Sequence, residues 1–243
     1  LTQALIIGFT GFKGNFTTEI MVGPQMLERK INHGVVILAT GANEYQPKEF
    51  LYGQDRRVMT QIELAERLEK KETGDLDKVV MIQCVGSRND DNPNCSRVCC
   101  QSAIKNALHI KKINPKVDIF ILYRDIRTYG QLEDYYTEAR RHGILFSSYD
   151  PEDPPVVESS EEGLVVTFKD QMLDRPLRVS ADLLALSAGM VAEETEDLSS
   201  IFKLARDPEG YFMEAHVKLR PVDMTTEGIF VCGTAHSPKL LSE

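Results

Sequence analysis

Val79-Val80-Met81-Ile82-Gln83-Cys84, followed after a polar stretch by Cys95-Ser96-Arg97-Val98-Cys99-Cys100, decides how this chain reads. The first run is apolar until its last two residues, as a strand buried on both faces is. Apolar residues then recur at helical spacing over residues 96–112, with Ser96 as a natural N-cap. A strand over 117–123, a helix over 131–141 and a strand over 144–146 come next. Strand and helix in alternation imply a parallel sheet covered by helices.

Outward from this centre the pattern is less regular. Residues 4–8 and 16–22 read as strands joined by a glycine-containing turn at 11–15. Residues 34–42 read as a buried strand, and 43–57 as a crossover loop. Thr60 with Glu63 three residues on predicts a capped helix to residue 71. Residues 150–162 are acidic with three prolines and read as a solvated loop. Residues 164–168 and 177–179 look like an antiparallel addition. Residues 182–188 form another buried strand, leading into Ser187-Ala188-Gly189, and 228–233 form the last.

The 243 residues carry a formal charge of −9, which argues against a general nucleic-acid or anionic-membrane binder. No apolar run approaches the ~18 residues needed to cross a bilayer. Residues 1–8 lack the basic region of a signal peptide. Five unevenly spaced cysteines do not resemble a secreted disulfide scaffold, so a cytoplasmic setting is the expectation. The chain starts at Leu1 in mid-strand and is expected to be part of a longer polypeptide.

Four of the five cysteines fall as Cys84-x10-Cys95-x3-Cys99-Cys100. Thiolates gathered at a strand–helix junction suit a soft metal or an iron–sulfur cluster. The adjacent pair departs from the paired knuckles of structural zinc sites. A [4Fe–4S] ligand set, zinc and free thiols all remain open on these residues alone. Arg88, Arg97 and the positive end of the helix are expected to lower the thiol pKa values. Cys232 reads as a buried strand thiol. Two further strands end in small residues, Thr40-Gly41 and Gly233-Thr234, where backbone N–H groups can meet a pyrophosphate or a planar ligand.

Ala39-Thr40-Gly41 and Thr226-Glu227-Gly228-Ile229-Phe230-Val231-Cys232-Gly233 resemble the second-half flavin motifs of the pyridine nucleotide–disulfide reductase superfamily. Gln83-Cys84-Val85-Gly86-Ser87-Arg88, Cys95 to Cys100 and Tyr123-Arg124-Asp125-Ile126-Arg127-Thr128-Tyr129-Gly130 resemble the A-type subunits of heterodisulfide reductases. That likeness runs from Gly14-Asn15-Phe16 through Gly233-Thr234-Ala235-His236-Ser237-Pro238-Lys239. The first flavin fingerprint, G-x-G-x-x-G, is absent, and one glycine in Val85-Gly86-Ser87-Arg88 is no dinucleotide cradle.

The resemblance implies an α/β, Rossmann-like FAD/NAD(P)-binding fold in two lobes. Residues 1–75 and 186–243 would form a discontinuous, partial FAD-type lobe. Residues 76–185 would form an inserted NAD(P)-binding-like lobe carrying the cysteines. It implies FAD near Thr40, Gly41, Gly189, Gly233, Thr234, Ala235 and His236. It also implies a [4Fe–4S] cluster on Cys84, Cys95, Cys99 and Cys100. Lys105, about one and a half turns after Cys100 on the same helix, reads either as a catalytic residue at the flavin edge or as a solvated helix lysine. The implied role is an oxidoreductase component that passes electrons between FAD and the cluster. Its partners would be heterodisulfide reductase B/C-like and hydrogenase- or dehydrogenase-like subunits, and a homodimer is left open. Two other readings stand beside it: a zinc-stabilised, non-catalytic docking module, and an NAD(P)H-dependent flavin oxidoreductase without a cluster.

Overall fold

The computed structural model describes residues 1–243 apart from Thr73, Asp75 and Glu162. The chain divides into two compact units, Leu1–Asn43 with Met190–Glu243, and Glu44–Gly189. Asp75, the expected end of the first lobe segment, and Glu162, the end of the expected acidic loop, lie outside the described residues.

The first unit opens with an antiparallel meander, β1 (Ala4–Phe12), β2 (Asn15–Val22) and β3 (Leu27–His33), in that order. β2 alternates, with Phe16, Thr18 and Ile20 buried and Thr17 and Glu19 turned outward, as a strand buried on one face must. β3 is a charged edge strand, with Lys30 paired to Glu19 at 2.6 Å. Apolar periodicity could not reveal it. β4 (Val36–Leu38) is much shorter than the buried strand expected over 34–42, and Ile37 is 65% exposed. Its one partner among the described strands is the last strand of the chain. β5 (Ala42–Glu44) follows.

The second unit holds a five-stranded sheet. β6 (Val58–Thr60), α1 (Gln61–Glu69), β7 (Lys78–Val85), α2 (Cys99–Ile113), β8 (Asp118–Tyr123), α3 (Glu133–Arg141) and β9 (Leu145–Ser148) follow in chain order. Next come a hairpin sheet, β10 (Val156–Ser160), β11 (Gly163–Asp170) and β12 (Arg175–Ala181), and then β13 (Leu183–Ala188). Sheet order is β6-β13-β7-β8-β9, all pairs parallel. One face is covered by the helices, through Leu64, Leu68, Ile104, Ala107, Ile110 and Ala139 against Val79, Met81 and Ala185. The other packs Val80, Ile82, Leu184 and Leu186 against Leu164, Val166 and Phe168 of the hairpin sheet. Burial on both faces explains the continuous apolar runs of β7 and β13.

Two expectations are corrected here. The resemblance places residues 44–75 in the flavin-type lobe, yet the described part of them belongs to the second unit. β6 pairs with β13, and α1 buries Leu64 and Leu68 in that unit's core. β13 likewise runs past residue 185 to Ala188. Second, the expected loop at 150–162 contains β10, an edge strand paired to β11. Its polar residues Glu158, Ser159 and Ser160 concealed it.

The capping box at α1 is present as expected. Thr60 Oγ1 accepts from Glu63 N–H at 3.3 Å, and Glu63 Oε2 accepts from Thr60 N–H at 2.7 Å. Thr60→Ala is expected to cost about 1 kcal/mol. Thermal unfolding should then shift down by roughly 2–4 °C for a chain of this size.

The chain returns to the first unit through β14 (Met190–Ala192), which pairs with β5, then α4 (Glu196–Phe202) and β15 (Ile229–Val231). β15 pairs parallel with β4. That unit's core gathers Leu38, Phe202, Phe212, Met224, Ile229 and Val231.

Candidate functional site

The C-terminal end of the parallel sheet carries the cysteines. Between β13 and β7 the ladder pairs Leu186 with Ile82 and then Ala188 with Val85. Two residues, Gln83 and Cys84, therefore oppose Ser187 alone, which is a β-bulge. Cys84 sits in the left-handed region at φ +63°, costly for a residue with a Cβ. Bulges re-aim side chains beside functional sites, and such strain persists where surrounding structure imposes it. The loop beyond repeats the conformation at Gly86 (φ +63°), Arg88 (φ +60°) and Arg97 (φ +62°).

Cys99 and Cys100 open α2, in its first turn as expected. The N-cap is Val98, however, with no side-chain cap bond, and Ser96 is buried in the preceding loop. Three sulfurs accept hydrogen bonds: Cys95 from Arg97 N–H at 3.3 Å, Cys100 from Arg127 N–H at 3.5 Å, and Cys84 from the Arg88 guanidinium at 3.8 Å. Cys99 donates to the Ala188 carbonyl at 3.4 Å. Arg88 also pairs with Asp125, which holds Arg127 at 3.0 Å.

The thiol pKa values move opposite to expectation. Burial pushes Cys99 well above the ordinary thiol range, and Cys100, Cys84 and Cys95 push it further. Burial raises Cys100 to about 11 against the pull of the Arg127 N–H. Cys84 is raised by burial too, with Arg88 and Arg124 opposing. Desolvation outweighs the opposing groups at Cys84, Cys99 and Cys100, so a metal bound there must displace protons from those three thiols. The sulfurs feel one another's charge, yet among the described residues no three His, Cys, Asp or Glu side chains stand close enough to share one metal ion.

Tyr45, which no sequence motif marks, lies against the turn after β7. A Cβ on Gly86 would meet its ring carbons at 2.0–2.4 Å. An aromatic side chain thus rests on the glycine where a dinucleotide-binding fold brings its pyrophosphate close. Gly189 stands in the same unit. Its N–H donates to Val85 O and its carbonyl accepts from Tyr45 N–H, both at 2.8 Å. A Cβ there would meet Ser87 at 2.9 Å and Ser96 Oγ at 3.2 Å. Lys105 is exposed on α2.

In the first unit β4 and β15 run parallel and end side by side. Gly41 (φ +81°) and Gly233 (φ +60°) take conformations that favour glycine. Gly233–Ala235 forms a single 3-10 turn, and a Cβ on Gly41 would lie 3.9 Å from Thr234 Oγ1. Thr40 and Gly233 are exposed and Ala235 is buried. Two open glycine ends on neighbouring strands fit a backbone cradle for a phosphate-bearing cofactor. His236 is held by Lys239 at 2.8 Å and Glu214 at 3.5 Å, and burial lowers its pKa. Cys232, expected to be buried, is exposed: β15 ends at Val231, and the thiol donates to Leu38 O at 3.5 Å.

No family model matches the chain. It is 36% identical to the A-type subunit of the ferredoxin:CoB-CoM heterodisulfide reductase of Methanosarcina acetivorans, over 86% of this chain and 32% of that protein. It is also 36% identical to the corresponding subunit of the H(2)/formate:CoB-CoM heterodisulfide,ferredoxin reductase of Methanococcus maripaludis, over 89% and 35%. The chain thus spans about a third of the length of the curated relatives it matches. Among solved structures it is similar to the T. acidophilum thioredoxin reductase, with a TM-score of 0.58, 13% identity and coverage of 98% and 67%. An FAD-dependent pyridine nucleotide–disulphide oxidoreductase from Desulfovibrio vulgaris gives 0.52, 14%, and 96% and 53%. Those structures share the Rossmann-type fold.

Proposed function

Because the chain belongs to the family of heterodisulfide reductase A-type subunits, we propose that it is the part of an oxidoreductase that passes electrons between FAD and a [4Fe–4S] cluster. When bound, FAD exchanges electron pairs and the cluster exchanges single electrons. The residues of this chain supply binding, insulation and tuning. Cys84, Cys95, Cys99 and Cys100 would hold the cluster. Thr40, Gly41, Gly233, Thr234 and Ala235 would lie along the flavin cofactor. Other subunits of a redox complex would receive or deliver the electrons.

The observation that carries this reading is the set of N–H groups on Cys84, Cys95 and Cys100. Hydrogen bonds to cluster sulfurs are among the levers that set iron–sulfur potentials. Arg88, Arg124 and Arg127 surround the site and offset the negative charge of bound thiolates. The adjacent pair Cys99-Cys100 departs from the paired knuckles of structural zinc sites, which favours a cluster over zinc. The Tyr45 ring on Gly86 speaks against a nicotinamide nucleotide at the β7 turn.

The test is anaerobic reconstitution of the chain with ferrous iron and sulfide. Iron and sulfide in equal, near-fourfold amounts per chain, with a visible absorption that bleaches on reduction, are expected. Stoichiometric zinc without iron after anaerobic purification would replace this reading with the docking module.

A further inference from the structure

Gln83 and Ser187 are each completely or almost completely buried. Both amide atoms of Gln83 and the hydroxyl of Ser187 lack hydrogen-bond partners among the described residues. Buried polar groups are rarely left unpaired, and an apolar residue of similar size would fill either position without that cost. Both sit at the same level of the sheet. The bulge places Gln83 and Cys84 opposite Ser187, between the pairs Leu186–Ile82 and Ala188–Val85.

Strand alternation gives their direction. Val79 and Met81 precede Gln83 at steps of two and pack into the helix-covered core, as do Leu183 and Ala185 before Ser187. Gln83 and Ser187 therefore continue the helix-side row at its C-terminal end. That is where α2 begins with Cys99 and Cys100, and where the Cys99 sulfur meets the Ala188 carbonyl. A primary amide offers two N–H donors and a serine one O–H. The chemistry near them that calls for neutral donors is thiolate and sulfide sulfur. The Gln83 backbone is itself fixed, its carbonyl accepting from Tyr149 O–H at 3.0 Å.

We infer that Gln83 and Ser187 are positioning residues whose buried side chains donate hydrogen bonds to the sulfurs of the group held by the four cysteines and so raise its reduction potential. This rests on the cluster reading proposed above. A reduced cluster carries more negative charge on sulfur, so a donor stabilises the reduced form more than the oxidised one. Being neutral, both donors do this without a buried charge that would have to be paired when the cysteines hold nothing.

The experiment uses the chain reconstituted anaerobically with ferrous iron and sulfide, as wild type, Gln83→Met and Ser187→Ala. Three quantities are read: the melting temperature before reconstitution, iron and sulfide content after it, and the midpoint potential with the EPR spectrum of the reduced state. Gln83→Met is expected to melt at or above the wild-type temperature when empty, since an unpaired buried amide has gone. It should load iron fully, with a more negative potential and an altered EPR spectrum; Ser187→Ala should shift the potential in the same direction by less. Fully loaded variants with wild-type potentials and spectra would overturn the inference while leaving the cluster intact, and would assign the two side chains to bound water. A wild-type chain that takes up no iron would instead overturn the underlying reading, and this inference with it. If Gln83→Met does not fold, Ser187→Ala carries the measurement.

Discussion

Gly86→Ala should be among the most damaging single-methyl changes in this protein. The added carbon would lie 2.0 Å from a ring carbon of Tyr45, and the residue is held at φ +63°. The left-handed conformation alone costs an alanine about 1–2 kcal/mol. Overpacking against a ring adds about 1–3 kcal/mol, because Tyr45 cannot withdraw freely. Its backbone N–H is tied to Gly189 O at 2.8 Å, and its ring belongs to the core beneath the hairpin sheet. The expected loss is about 2–5 kcal/mol from a total of roughly 5–15, a fall in melting temperature of about 10 °C. A double-mutant cycle separates the two causes. Combined with Tyr45→Ala, the substitution should recover about 1–3 kcal/mol of coupling. Strict additivity would show that the ring does not press on this turn.

Cys99→Ser should abolish cluster loading. Serine replaces the sulfur while retaining a donor for the Ala188 carbonyl, now at 3.4 Å from the thiol, so the empty fold should keep its stability within about 1 kcal/mol. The ligand set drops from four sulfurs to three, and iron bound after reconstitution should fall to near background. Cys232→Ser is the matched control. Its thiol is exposed and belongs to the other unit, and iron content should equal that of the wild type. Full iron in Cys99→Ser, or a loss in Cys232→Ser, would show that the cluster reading assigns the wrong sulfurs.

The parallel core is legible because its strands are buried on both faces, so Val79–Ile82 and Leu183–Leu186 read as unbroken apolar runs. The capping box at Thr60 is legible because both of its bonds are local. Strands with mixed or solvated faces escape that logic. β3 and β10 bury little and are held by pairing partners that periodicity cannot register. The boundary between the units is hidden for a related reason: β6 is three residues long and is fixed by β13, more than a hundred positions away.

At the candidate site, the sequence spacing of the cysteines points to the strand–helix junction, and Cys84 does lie near the end of β7 while Cys99 and Cys100 open α2. What spacing does not carry is environment. It predicts lowered thiol pKa values from nearby arginines, whereas burial prevails. It gives no hint of Tyr45, which lies forty-one residues before Gly86 in the chain and touches it in space. Gln83 and Ser187 did leave a trace. Each is a polar residue interrupting an apolar strand at its C-terminal end, and the two match in register once the strands are aligned.

The extra residue at Gln83-Cys84 has a wider implication for how such a protein can arise. Ile82 and Val85 pair with residues two steps apart on β13, so the last ladder pair keeps the phase it would have in a strand one residue shorter. A sulfur donor can therefore be carried at this sheet end without shifting the pairing of Leu186 with Ile82 or of Ala188 with Val85. Chemistry at this edge is separable from the scaffold beneath it.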